Sequence, residues 1–306
     1  MRNAFINRLS SWAEREPRIL LITGDLGFGV FDGFRARSAS QFLNAGVAEQ
    51  NMTALATGLA LEGHVVFTYS IANFPTLRCF EHIRNDVCYH GANVKVVSVG
   101  GGFSYGQLGM SHHATEDLSL LRALPGIVVT APASGFETEG AVDALIAHEG
   151  PAYLRLERAA ADFSDGPDVP FVLGRARTLA DGRDLTLIAT GGVVSEVAAA
   201  AKLLLAEGVA CRVLSVHTLK PLDAEAILSA AEETGGILTI EENTILGGLG
   251  GAVAEICLEH AVRPKRFKRL GIADCFVSVV GDQEYLRREV GIDRAGIARR
   301  VRELLR

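Results

Sequence analysis

In the stretch NAGVAEQN, residues 44–51, a single carboxylate, Glu49, stands among small, apolar and amide residues. Desolvation disfavours an ionised carboxylate, so a glutamate in such a setting either takes up a proton near neutral pH or finds a partner outside its own segment. Three other groups have types suited to chemistry. His112 and His113 are adjacent in YGQLGMSHHATED. A metal site there is disfavoured, because neighbouring histidines rarely aim at one ion and no third ligand has suitable spacing. Arg155 and Arg158 end the run PAYLRLER. A planar guanidinium suits two oxygens of an anion, while pairing with Glu157 or Asp162 is the structural alternative. Asp25 in TGDLGFG occupies a strand-to-loop position where aspartate is a common turn residue.

The elements that must position these groups follow from periodicity. Asn44 suits an N-cap, and Ala48, Met52, Leu55 and Leu59 then recur at helical spacing. The neighbouring face, Thr53, Ala56 and Ala60, is also uncharged, which predicts a helix buried nearly all round with Glu49 in its first turns. RILLITGD, HVVFTYS, VKVVSVGG, GIVVTAPA and AYLRLER read as buried parallel strands alternating with helices. Residues 161–175, with two prolines and three aspartates, read as a linker. The same alternation then restarts through DLTLIATGG, VVSEVAAAAKLLLAEG, ACRVLSVHTLKPLD, AEAILSAAEETG and GILTIEE. The expected fold class is therefore α/β, two consecutive domains with mostly parallel sheets, over residues 1–165 and 166–306. Parallel sheets bind ligands at the carboxyl ends of their strands, where SVGGGF and TGGVVSE supply glycines for tight turns. Residues 246–255, LGGLGGAVAE, lack the G-x-G-x-x-G spacing of a dinucleotide site and read as a loop of close backbone approach.

Composition bounds the rest. A chain of 306 residues with 48% hydrophobic residues and a net charge of -6 is globular, and its mild acidity argues against nucleic acid or an anionic membrane as partner. The five cysteines are scattered with no C-x-x-C, which predicts reduced thiols in a cytoplasmic protein. Phe5, Leu9 and Trp12 lie at helical spacing near the start, and Glu14 and Glu16 argue against a transit peptide. No apolar run is long enough to span a bilayer.

FLNAGVAEQNMTALATGLALEGHVVFTYSIANF resembles the pyrimidine-binding domain of the transketolase and deoxyxylulose phosphate synthase family, and the likeness continues through GQLGMSHHATEDLSLLRALPGIVVTAPAS into LIATGGVVSEVAAAAKLLLAEG and IEENTILGGLGGAVAEI. The resemblance implies thiamine diphosphate as cofactor, with Glu49 hydrogen-bonded to N1′ of its aminopyrimidine to promote deprotonation of thiazolium C2. It implies an aromatic wall against the pyrimidine, for which Phe74 is the first candidate and Phe80 the second. The family's evenly spaced aromatics fall here on Thr76, Cys79 and His82. It places Asp25 near the cofactor, makes His112 the substrate-site histidine and Arg158 the phosphate grip, with Arg155 beside it. Leu108 stands where the family's aspartate contacts a sugar hydroxyl, which points away from the usual pentose and hexose phosphates.

Complete members of the family carry a further domain whose GDG motif and asparagines hold the diphosphate and metal. TGDLGFG and VVGDQEY contain Gly-Asp without the third glycine or the asparagine, so the chain offers no metal site. The resemblance therefore implies that Mg2+ and the diphosphate are held mainly by a separate N-terminal, diphosphate-binding subunit, in an α2β2 split transketolase acting on sugars, with neither nucleic acid nor membrane as partner. The implied reaction moves a two-carbon ketol unit from a phosphorylated or otherwise anionic ketose to an aldose. Two alternatives stay open at this point: the beta subunit of a 2-oxo-acid dehydrogenase, and a non-catalytic interaction subunit of the same fold.

Overall fold

The structure is a computed structural model that describes residues 1–158 and 170–306. The linker expected over 161–175 and the boundary at 165/166 lie mostly or wholly outside the described residues, as does Asp162.

The strands of the first half are β1 (Ile19–Thr23), β2 (Phe42–Asn44), β3 (Val65–Ile71), β4 (Val94–Val99), β5 (Val128–Thr130) and β6 (Ala152–Leu156). Those of the second half are β7 (Arg177–Ala180), β8 (Leu185–Thr190), β9 (Cys211–Ser215), β10 (Thr218–Lys220), β11 (Ile237–Thr244) and β12 (Phe267–Ile272). They form a seven-stranded sheet in the order β10-β5-β6-β4-β3-β1-β2 and a five-stranded sheet in the order β12-β11-β8-β9-β7. Runs such as VKVVSV in β4 are buried at every position, as a parallel strand covered by helices on both faces requires. Among the described residues all strand pairings are parallel except those of β10 with β5 and of β7 with β9.

One sequence expectation for a strand is extended by this topology, and three strands are added to it. ACRVLSVHTLKPLD supplies two strands, β9 in the second sheet and β10 at the edge of the first, so the sheets share a chain segment. Three edge strands, β2, β7 and β12, escape the sequence reading because they carry a mixed rather than a continuous apolar pattern.

Helices α1 (Arg2–Ala13), α2 (Asp32–Arg37), α3 (Glu49–Leu61), α4 (Phe80–His82), α5 (Asp117–Ala123) and α6 (Gly135–Ala147) accompany the first sheet. Helices α7 (Val194–Ala206), α8 (Ala224–Glu233), α9 (Leu249–Glu259), α10 (Gln283–Glu289) and α11 (Arg294–Leu305) accompany the second. One apolar cluster runs from Met52, Ile83 and Val96 through Leu121 and Tyr153 to Leu219, Ile237, Leu249 and Val253, so the two sheets are packed through a common core. Residues 246–255 are loop only at first, since α9 starts at Leu249. The close approach expected of their glycines falls on Gly248 and Gly250, where a Cβ would lie 2.0 Å from Glu241 Oε2 and 2.6 Å from Thr239 Oγ1.

The helix bearing Glu49 is oriented differently from the expectation. Its buried face is Glu49, Met52, Thr53, Ala56, Thr57 and Ala60, while Ala48 and Leu55 are exposed and Leu59 is half-buried. Asn44 does not cap it. The N-cap is Ala48, and Asn44 ends β2, accepting from Asp25 N at 3.1 Å and Gly46 N at 3.0 Å while donating to Asp25 Oδ1 at 2.8 Å. A parallel strand beside β1 claims Asn44 first, because its amide can both donate and accept and so joins two strand ends that the helix does not reach.

Candidate active site

The carboxyl ends of β1, β3, β4 and β6 open onto one edge of the first sheet, and the segments leaving them carry the candidate residues. After β1, Gly24 approaches the helix: a Cβ there would stand 3.5 Å from Glu49 Cγ and 3.6 Å from Ser70 Oγ. Asp25 follows at φ 55°, exposed and tied to Asn44. After β3 the chain turns at Ala72, whose carbonyl accepts from Ser98 Oγ at 2.8 Å and Thr76 Oγ1 at 2.9 Å. That turn presents Asn73, Phe74 and Arg78.

Glu49 is 3% exposed, and its Oε2 accepts from Arg78 Nη1 at 2.8 Å. The partner that its burial demands is thus supplied within the chain, across a tertiary contact that the sequence reading did not foresee. The guanidinium carbon of Arg78 also lies 4.8 Å from the centroid of the Phe74 ring. Phe74 in turn meets His112 edge-on at 5.2 Å between centroids, and His112 meets Tyr105 at 6.4 Å. Arg158 closes the series, its guanidinium 5.7 Å from the Tyr105 ring. Glu49, Arg78, Phe74, His112, Tyr105 and Arg158 therefore form one continuous row of contacts.

The two adjacent histidines part company. His112 is half-buried in the row, with Nδ1 3.0 Å from Ser111 Oγ. His113 is buried against Phe103, its Nε2 3.4 Å from the Gly106 carbonyl, and burial lowers its pKa. Asn73 Nδ2 donates to the carbonyl of His113, which fastens the loop carrying His112 to the turn carrying Phe74. Gly100, at φ 96°, makes room for the Tyr105 ring, whose Cε2 would be 2.2 Å from a Cβ there; no other residue fits.

Four expected residues do not join the row: Asp25, which is tied to Asn44, and the three that follow. Arg155 is 3% exposed and spent internally: Nη2 donates to the Glu242 carbonyl at 2.8 Å, Nη1 lies 3.4 Å from Asp117 Oδ1, and Nε rests where a Cβ on Gly101 would be. It braces the two sheets and has no face for a substrate anion, which removes it as a phosphate ligand. Phe80 is half-buried and packs onto the apolar cluster around Met52 and Ile83, while Thr76 and Cys79 are fully buried. Leu108 is 56% exposed at the rim of the same loop, an apolar side chain with no internal partner in the core clusters.

Two members of the row were absent from the sequence reading. Arg78 follows Phe74 by four residues, a spacing that could have signalled a shared face. Tyr105 gave no signal, because only the turn at Gly100 brings its ring beside His112.

The site suits a planar aminopyrimidine on two observations: a flat, half-buried Phe74 ring is joined to a buried carboxylate through the Arg78 guanidinium, and no described residue other than Arg78 donates to Glu49, which leaves Oε1 without a donor. Among the described residues no group of three or more His, Cys, Asp or Glu could hold a metal ion, and no helix is long and apolar enough to cross a membrane.

Comparison with known proteins agrees along nearly the whole chain. The family model for the transketolase pyrimidine-binding domain matches residues 1–162, and that for the transketolase C-terminal domain matches residues 174–297. The chain is 36% identical over 305 residues to a 6-deoxy-6-sulfo-D-fructose transketolase subunit from Clostridium sp. (strain MSTE9), covering 99% of this chain and 94% of that one. It is 38% identical over 307 residues to an apulose-4-phosphate transketolase subunit from Phocaeicola vulgatus, covering 100% and 97%. A solved split-gene transketolase, described as an inactive β4 tetramer, superposes with a TM-score of 0.88 at 35% identity over 99% of this chain and 97% of that one. A transketolase from Pichia stipitis shares the fold with a TM-score of 0.79 at 21% identity, this chain spanning 45% of its length. The chain belongs to the transketolase family, as the subunit of a split transketolase that carries the pyrimidine-binding and C-terminal domains.

Proposed function

We propose that this chain contributes the pyrimidine-side half of a ketol-transfer site acting on a ketose with a phosphate or other anionic terminal group, and that a separate subunit holding the diphosphate and Mg2+ completes it in an α2β2 assembly. The observation that carries the reading is the continuous row from Glu49 to Arg158, which has an acid at one end, a cation at the other and an imidazole between them. Thiamine diphosphate, when bound, supplies the electron sink for a two-carbon carbanion.

Each residue of the row has a distinct task in this reading. Glu49 offers Oε1 to a protonated ring nitrogen, in a pocket dry enough to hold that proton in place. Phe74 presents its ring as a platform for the pyrimidine, and Asp25 with Asn44 fixes the loop after β1 that closes on Glu49 through Gly24. His112, with Nδ1 turned to Ser111, directs Nε2 toward substrate oxygens. Arg158, lying over Tyr105, grips the anionic end of the sugar. The packed core that joins the sheets keeps water from the inner side of the row.

Leu108 shapes which sugar fits. An apolar, exposed side chain at that rim offers no acceptor to a hydroxyl, so it favours a sugar modified at the contacted position. The relatives described above are transketolase subunits for 6-deoxy-6-sulfo-D-fructose and for apulose-4-phosphate, and each of those sugars carries a sulfo or phosphate group. The divisions 1–165 and 166–306 serve as the two functional domains, and a cytoplasmic setting suits cysteines that are all free among the described residues.

The test is calorimetric titration of thiamine diphosphate with Mg2+ into this chain alone and into its mixture with the diphosphate-binding subunit, followed by a screen of anionic ketoses for cleavage. Binding that requires the mixture, with turnover of a phosphorylated or sulfonated ketose, is the expected result. A stable complex that binds no cofactor, or one that decarboxylates 2-oxo acids instead, would overturn it.

A further inference from the structure

The proposed function leaves one member of the row without a task. Arg78 reaches Glu49 with Nη1, covers the Phe74 ring with its guanidinium, and is still 48% exposed at the side chain. Its backbone is fastened at both ends: Gln50 Nε2, next to Glu49 on α3, donates to the Arg78 carbonyl at 3.1 Å, and Arg78 N donates to the Asn73 carbonyl at 3.4 Å. Asn73 is also the residue that ties this turn to the His112 loop. The short segment from Asn73 to Arg78 is therefore a bracket between the acid, the aromatic platform and the histidine.

Burying a carboxylate at 3% exposure is unfavourable unless a charge partner is fixed beside it. Of the charged groups near Glu49, only Arg78 forms an ion pair with it among the described residues. A guanidinium donating to Oε2 fixes the rotation of the carboxylate, so that Oε1 is the oxygen left for a donor from outside the chain.

We propose that Arg78 is the positioning residue of this site, holding the Glu49 carboxylate in one orientation so that Oε1 can meet the pyrimidine ring nitrogen beside Phe74. The inference rests on the reading of Glu49 given above. Arg78 acts through Glu49 and through its cover on the Phe74 ring, and makes no bond to the reacting atoms.

A double-mutant cycle on the two-subunit complex tests it, reading the affinity for thiamine diphosphate with Mg2+ by calorimetry alongside turnover, with thermal unfolding of each variant as control. Arg78→Met is expected to weaken cofactor binding by about tenfold to a hundredfold, the range of a hydrogen bond to a charged group. Arg78→Lys, which keeps the charge and loses the planar fork, should recover part of that loss. In a Glu49→Gln background Arg78→Met should cause little further loss, because the charge it serves is gone. An Arg78→Met variant that binds the cofactor as well as or better than the parent overturns the inference, and so does an equal loss in both backgrounds, which would mark a merely structural side chain. Glu49→Gln acts as the separate check: if it leaves binding and turnover unchanged, the reading of Glu49 itself fails, whatever Arg78 does.

Discussion

Two regions of this molecule bury carboxylates against polar donors, and they differ in how completely those carboxylates are used. At the seam between the sheets, Glu242 is sealed: Oε1 accepts from Phe103 N at 2.6 Å and Gln283 Nε2 at 2.9 Å, and Oε2 from Arg287 Nε at 2.5 Å. Glu241 gives both oxygens to the first turn of α9, accepting from Leu249 N at 2.8 Å and Gly250 N at 2.9 Å. Glu49 has one donor among the described residues, Arg78, whose side chain is itself half exposed. Burial alone does not distinguish a working acid from a structural one. Glu157, buried just past the end of β6, likewise leaves Oε1 without a partner while Oε2 accepts from Gln283 Nε2 at 2.9 Å, so what sets Glu49 apart is its pairing with a half-exposed cation that lies over an aromatic ring.

The contrast is sharpest when each acid is removed. Glu49→Ala in the two-subunit complex should lower turnover by about 10²–10⁴-fold, the range for loss of an acid-base group, while leaving thermal unfolding near the parent's. Turnover within about threefold of the parent would end the distinction, since Glu49 would then be structural too. Glu242→Ala should do the reverse. Stranding Arg287 in the seam costs about 3–5 kcal/mol of stability, measured by urea unfolding of this chain, because breaking a buried pair leaves an uncompensated charge.

The seam should also respond to pH. Burial pushes the Glu241 carboxyl from its ordinary 4.5 up to about 7, against the pull of its backbone donors. Between those values the folded chain binds more protons than the unfolded one, so stability falls as pH rises through the window. The shift corresponds to a change of about 3 kcal/mol, and Glu241→Gln should flatten the slope between about pH 5 and pH 7. An unaltered slope in that variant assigns the dependence to another group. At the small end, Arg302→Ala removes a pair with Glu207 in which both side chains are exposed, and it should leave the urea midpoint of this chain where the parent's lies. A clear drop in that midpoint would mean that partnering matters even where water is available, and the comparison of the two buried regions would lose its baseline.

The histidine pair shows how much of the site was legible. Residue types identified HH as a place for chemistry, and the resemblance singled out His112, but sequence spacing gives no means of sending two neighbouring side chains to opposite sides of a loop. The 3₁₀ turns around Gly109 do that, placing His112 against Phe74 and His113 against Phe103. The helix of Glu49 was legible as a helix and misread in orientation. Its sequence is apolar on several faces, so periodicity gives no unique answer, and the packing of Met52, Ala56 and Ala60 onto the core cluster chooses the buried one.

The chain by itself determined its strand and helix alternation and its two parallel-sheet halves, because these are written in local periodicity, while residue type marked Glu49 and the histidine pair and the family resemblance singled out His112 and Phe74. The tertiary structure decided which arginine does what. Arg155 and Arg158 are three residues apart in one strand end, and a strand covered on both faces carries no alternation to separate inside from outside. Only the approach of β11 seals Arg155 against Glu242, only the end of β6 leaves Arg158 exposed over Tyr105, and only the turn after β3 lays Arg78 between Phe74 and Glu49. Pairings of that kind depend on desolvation and distance between segments far apart in the chain, and those quantities do not exist until the sheets have packed.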